Sequence, residues 1–164
     1  MVDFYSGLTY SPKDVQENGT FVLRSSNIKN GEIVNADNVY VSNNVVKSCN
    51  VQKEDIIVVV RNGSRKLIGK HAKVKKEMNN TVIGAFMTGI RSEISNFINA
   101  LLDTQRFAIE INKNLGATIN QITIGEFKKM QFESPRMVEE QQKIGTLFKH
   151  LDELITLHQC RYAN

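Results

Sequence analysis

No disulfide framework and no cysteine-based metal site can be built from this chain, because Cys49 and Cys160 stand far apart and outside any ligand spacing. Such usage fits reduced thiols in a cytoplasmic protein. Met1–Val2–Asp3–Phe4–Tyr5 lacks the basic and apolar regions of a signal peptide, and no apolar run approaches the length of a membrane span. A soluble, intracellular protein without a membrane partner is expected. Also missing are a phosphate-cradling glycine loop, a His/Cys/carboxylate metal set and a paired-carboxylate arrangement. Cys49 has Lys47 and Lys53 as its basic neighbours and no nearby histidine, so it does not read as a nucleophile. Glu110–Ile111–Asn112–Lys113 has the wrong spacing for a nuclease acid-x-Lys motif, and nothing matches the Pro–Pro–(Tyr/Phe) motif of nucleic-acid amino-methyltransferases. These absences count against a stand-alone enzyme, and no metal or cofactor is expected in this chain. There is no low-complexity segment and no repeat long enough to make two copies of one unit.

What is present is enough apolar material for one core: 41% of 164 residues are hydrophobic. The net charge of +4 is moderate, but its distribution is not even. Between Arg61 and Lys76 lie seven basic residues (Arg61, Arg65, Lys66, Lys70, Lys73, Lys75, Lys76) and no acid, so this segment exceeds the net charge of the whole chain. A concentrated patch is an electrostatic footprint, whereas a scattered surplus only confers solubility.

The period of the apolar residues changes along the chain. Phe21–Val22–Leu23 and Val39–Tyr40–Val41 are short strand-like runs separated by the turn signals Asn30–Gly31 and Asn43–Asn44. Ile56–Ile57–Val58–Val59–Val60 is a continuous β-branched run, as in a strand buried on both faces, and Asn62–Gly63 predicts a turn after it. From Gly69 to Lys75 the pattern alternates, with Ala72 and Val74 on one face and His71, Lys73 and Lys75 on the other. Thr81 to Thr88 predicts one further apolar strand. Helical spacing then takes over, in Ile94, Phe97, Ile98, Leu101 and Leu102 behind a Ser92 N-cap, and in Phe107, Ala108, Ile111 and Leu115 before a C′ Gly116. Thr123–Ile124–Gly125–Glu126 has the capping-box form, and Ser134–Pro135 closes the first unit. The fold class expected is α/β (α+β), an irregular β-rich half and a helical half over residues 1–135, followed by a long coiled-coil-type helix within 136–164.

That helix should run from Val138 to Tyr162, on the order of 35 Å. Ile144, Leu147, Leu151 and Leu154 follow a 3–4 spacing with His158 at the next seam position, and Phe148 and Ile155 widen the stripe. Docking on its own domain competes with pairing to a partner helix. About two and a half heptads are marginal for an isolated coiled coil and adequate when the domains also touch.

For the basic segment, a solvated surface hairpin competes with a nucleic-acid reader. Arg61, Asn62, Ser64 and Arg65 crowd a glycine turn, and arginine and asparagine can fork onto guanine and adenine edges. Lys66, Lys70, His71, Lys73 and Lys75 suit phosphates, which position a protein without reading sequence. His71 alone reads more readily as a polar surface residue than as a catalyst.

Several further segments carry a resemblance: Gly7–Leu8–Thr9–Tyr10–Ser11–Pro12, Leu23–Arg24–Ser25–Ser26–Asn27–Ile28–Lys29–Asn30–Gly31, Glu54–Asp55–Ile56–Ile57–Val58, and Asn120–Gln121–Ile122 through Pro135. With Glu140–Gln141–Gln142–Lys143–Ile144 and Leu151–Asp152–Glu153–Leu154–Ile155, their order and spacing resemble the specificity subunit of type I restriction–modification systems, as one target recognition domain plus a spacer helix. The resemblance implies a non-catalytic reader of one half of a split double-stranded DNA sequence. It also implies partners: modification (methyltransferase) subunits that hold the S-adenosylmethionine, and a restriction subunit. Base-reading residues vary within that family, so no individual base contact is carried over. Such subunits ordinarily carry two target recognition domains and two helices, and this chain shows one of each. The resemblance is therefore compatible with a half subunit that pairs as a homodimer through its C-terminal helix, or with a fragment. A protein-interaction module that dimerises through this helix without reading DNA is the competing function.

Overall fold

A computed structural model of the chain describes residues 1–115 and 119–162. Its strands are Val2–Ser6 (β1), Val15–Gln16 (β2), Thr20–Leu23 (β3), Ile28–Lys29 (β4), Glu32–Ile33 (β5), Val39–Val41 (β6), Ile56–Val59 (β7), His71–Lys73 (β8), Thr81–Ile83 (β9) and Met87–Ser92 (β10). Four helices follow: Ser95–Leu102 (α1), Gln105–Asn114 (α2), Ile124–Lys129 (α3) and Val138–Tyr162 (α4). The mixed class and the bounds of the terminal helix agree with the sequence reading.

An antiparallel sheet of order β1-β10-β7-β8 forms the centre. β7 lies inside it and has no polar position, so both of its faces must be covered. Ile56 and Val58 pack with Ile90 against Phe107, Ile111, Ile122 and Phe127 of the helical half. Ile57 and Val59 pack with Ala72, Val74 and Met87 against Leu23, Ile28 and Ile83 on the other side. A second sheet, β2-β6-β3-β9, is antiparallel apart from its parallel β3–β9 pair. Asn30–Gly31 closes the β4–β5 hairpin, and both residues take left-handed backbone angles (φ 53° and 74°).

Three local expectations differ from what forms. The apolar run Thr81–Thr88 is two strands, because the Met87 N–H donates to the Gly84 carbonyl (2.9 Å) in a turn that exposes Ala85 and Phe86. Ser92 ends β10 opposite Val2 instead of capping a helix, and α1 starts three residues later. Asn62–Gly63 does not close a tight hairpin. Residues 60–70 connect β7 to β8 through a 3-10 turn at Arg65–Leu67, because the backbone beyond Val59 is drawn elsewhere. Val60 and Arg61 N–H groups donate to Phe86 O (3.0 and 3.2 Å), and Ile122 N–H donates to Val60 O (2.8 Å). The Gly116 cap lies outside the described residues. The Thr123–Glu126 capping box forms, with Thr123 N–H donating to Glu126 Oε2 (2.7 Å) and Glu126 N–H to Thr123 Oγ1 (3.2 Å).

α4 packs on α1 at Gly145. A Cβ there would lie 2.4 Å from the Phe97 backbone nitrogen, so only glycine permits this approach of the two helix backbones. Among the described residues no helix is long and apolar enough to cross a membrane.

Candidate nucleic-acid interface

The 60–70 connection is anchored in the core at Val60 and Ile68 and exposes most of the residues between them, and its shape is set by amide side chains. Asn62 Oδ1 accepts from the Ser64 N–H (2.9 Å), and Asn62 Nδ2 donates to Ser25 Oγ (3.2 Å). Asn120 Nδ2 donates to Gly63 O (3.1 Å), and the Asn62 N–H donates to Asn120 O (3.3 Å). Arg61 forms an antiparallel bridge with Gln121. Arg65 donates to Asn112 O (3.3 Å) and Lys70 to Ser25 O (3.3 Å). The loop is thus a fixed surface built from three distant segments. Arg61, Ser64, Arg65 and Lys66 are exposed on it, and Asn62 and Lys70 are half-buried.

Six of the seven cations divide into two groups, and exposed Lys76 lies beyond both. Among the described residues, Arg61, Arg65, Lys66 and Lys70 have no carboxylate partner, so the loop end of the patch keeps its charge. On β8 and just beyond it the opposite holds. Lys73 is 8% exposed and donates to Glu54 Oε2 (2.8 Å) and to Asn96. Lys75 pairs with Glu32, and His71 Nε2 lies 3.2 Å from Asp103 while Nδ1 contacts Gly69 O (2.9 Å). The assignment of Lys73 to a phosphate track is therefore corrected. The alternation is right, but α1 covers that face and turns the lysine into an internal ion-pair partner.

The Lys73 pair also sets the charge of Glu54. Burial acts to raise this carboxyl, but the hydrogen bond and charge of Lys73, with the Ser95 hydroxyl (3.1 Å), outweigh it and hold Glu54 below the usual carboxylate range. Across the cleft, burial and the neighbouring Asp103 push Asp152 of α4 upward. The cleft between β8, α1 and α4 thus combines the Lys73–Glu54 and Lys75–Glu32 pairs with neighbouring carboxylates at Asp103 and Asp152.

On α4, Leu147 is 57% and Leu154 62% exposed, and Phe148, Leu151 and Ile155 are also open. Ile144 is half-buried beside α1, and His158 is exposed. At 100° per residue Leu147, Leu151, Leu154 and His158 fall on one side of the helix, roughly a half-turn from Gly145. The seam therefore faces away from α1 and the domain.

The whole chain, residues 1–164, matches the family model described as the type I restriction modification DNA specificity domain. The chain belongs to this family. It is 29% identical over 158 residues to the StySPI type I restriction enzyme specificity subunit of Salmonella potsdam, covering 89% of this chain and 34% of that protein. It is 30% identical over 139 residues to the EcoKI specificity subunit of Escherichia coli (strain K12), covering 80% of this chain and 30% of that protein. Its fold is that of the HsdS subunit from Thermoanaerobacter tengcongensis (TM-score 0.66, 15% identity, covering 99% of this chain and 38% of that one). The S subunit from M. genitalium is similar (TM-score 0.63, 14% identity, 98% and 39% covered). The chain spans about a third of the length of the specificity subunits it matches.

The segments that carry the family resemblance are mostly scaffold of this specificity domain. Asp55 is buried and takes two donors from Arg91 (both 2.8 Å), the Tyr5 hydroxyl (2.7 Å) and the Gln52 N–H (2.9 Å). Burial, then the Asp55 hydrogen bond, push the Tyr5 phenol upward. Asn27 is fully buried and ties Arg24 N–H to the carbonyls of Val34 and Ala36. Sequence reasoning missed Phe86, Asn120 and Ser25 as neighbours of the basic loop. No local pattern brings residues 25, 62, 86 and 120 together; the sheet order does.

Proposed function

We propose that this specificity domain reads one part of a split double-stranded DNA sequence and directs separate methyltransferase and restriction subunits to it, without chemistry of its own. Residues 1–135 hold the reader and 136–164 the spacer helix, whose exposed seam meets a partner helix, either of a second copy or of a longer subunit. The observation that carries this reading is the uncompensated charge of the 61–70 loop on a fixed framework of amides. Arginine and asparagine there offer forked donors and acceptors to base edges, and Lys66 and Lys70 supply phosphate contacts. Binding of DNA by the complex assembled with its methyltransferase subunits tests it. The Arg61→Ala, Arg65→Ala double variant should lose preference for the target over a scrambled duplex while keeping non-specific binding. Unchanged preference would show that the reader lies elsewhere, and no preference in the unmodified complex would favour the protein-interaction reading.

A further inference from the structure

Phe86 is 50% exposed at the crown of the Gly84–Met87 turn and belongs to none of the three apolar clusters. A single exposed ring is ordinary on a protein surface, so any role for this one has to come from its surroundings. The Phe86 carbonyl accepts from both the Val60 and Arg61 N–H groups, so turn and loop are tied backbone to backbone. The Arg61 guanidinium carbon lies 4.9 Å from the Phe86 ring centroid. Arg65 donates to Asn112 O and Arg91 is held by Asp55, whereas Arg61 makes no side-chain hydrogen bond among the described residues. Stacking uses only the face of a guanidinium. Its N–H donors lie in the plane and stay free, and the ring restricts the rotamers that an exposed arginine would otherwise sample.

We infer that Phe86 is a positioning residue that holds the Arg61 fork ready for a guanine in the target, an inference that rests on the DNA-reading function proposed above. Guanine is the base whose O6 and N7 acceptors match a planar pair of donors in the major groove. Phe86 contributes no donor itself. It makes Arg61 selective by limiting how the fork can tilt toward other base edges.

Selection from a randomised duplex library by the assembled complex tests this, with the full chain carrying Arg61→Ala, Phe86→Leu or Phe86→Trp. Arg61→Ala should erase a guanine preference at one position of the recovered motif, a loss of roughly 5- to 150-fold at that position alone. Phe86→Leu should weaken the same preference by about 2- to 5-fold, and Phe86→Trp should retain it. Preferences elsewhere, the salt dependence and the melting temperature should stay unchanged. The inference is overturned if Phe86→Leu leaves the guanine preference intact, or lowers every position alike. A wild-type complex that recovers no motif refutes the underlying reading before any substitution is compared.

Discussion

Two lysine-bearing segments that look equivalent in the sequence should respond in opposite ways to loss of charge. Lys73→Met removes the cation from a pair whose lysine side chain is 9% and whose glutamate side chain is 42% exposed. Breaking a fully buried pair costs about 3–5 kcal/mol; water reaching the exposed part of Glu54 leaves roughly 1–2 kcal/mol. For a chain of this size that is a fall in melting temperature of about 2–8 °C. DNA affinity of the surviving folded protein should keep its salt slope. The Lys66→Ala, Lys70→Ala variant should do the reverse: a melting temperature within about 1–2 °C of wild type and a salt slope lower by about 1.8. Each lost phosphate contact then removes about a 3.5-fold effect between 50 and 200 mM salt, so the pair removes about 12-fold. Differential scanning fluorimetry and binding titrations at several salt concentrations measure both. The pH dependence supplies a second reading. Lys73 depresses Glu54, so the pair stabilises fully above the ordinary carboxyl value of 4.5 and is lost as pH falls through the lower folded-state value. Lys73→Met should therefore flatten that acid limb. A flattened salt slope in Lys73→Met, with unchanged stability, would refute the division of the basic segment into neutralised strand and charged loop.

Asp55→Asn should destabilise the chain by about 2–3 kcal/mol in denaturant titration, because a neutral partner replaces the buried carboxylate while water reaches the exposed third of Arg91. Gly145→Ala should push α4 off α1, since its Cβ would meet the Phe97 nitrogen at 2.4 Å, at a cost of about 1–3 kcal/mol. Gly125→Ala, whose Cβ meets nothing closer than 3.8 Å, should instead stabilise α3 by about 0.5–1 kcal/mol. Leu147→Asp with Leu154→Asp should abolish helix pairing in sedimentation velocity while shifting the melting temperature of the domain little, because both residues are open to water.

The features legible in the sequence are those set by local pattern under uniform burial. The run Ile56–Val59 has no polar position and is covered on both faces, and the α4 seam keeps its helical spacing because little of the domain competes for it. Thr123 and Glu126 form their box from four consecutive residues. Features set by distant contacts were not legible. In Thr81–Thr88 only Gly84 hints at a break, and the break itself comes from the turn there and its bridge to Leu8. Lys73 sits on the polar face of β8, as alternation predicts, but the helix that buries it begins some twenty residues later in the chain. The framework of the candidate reader was hidden for the same reason, since Ser25, Asn62 and Asn120 are joined only by the fold. Segments that carry the family resemblance encode this framework, and the basic loop lies between them in the sequence.

The most direct test is methylome sequencing of the native host with and without the gene for this chain. The account predicts a modified bipartite motif that disappears on deletion, returns on complementation, and changes in one half when Arg61 and Arg65 are replaced by alanine. Identical methylomes in the presence and absence of the gene would contradict it.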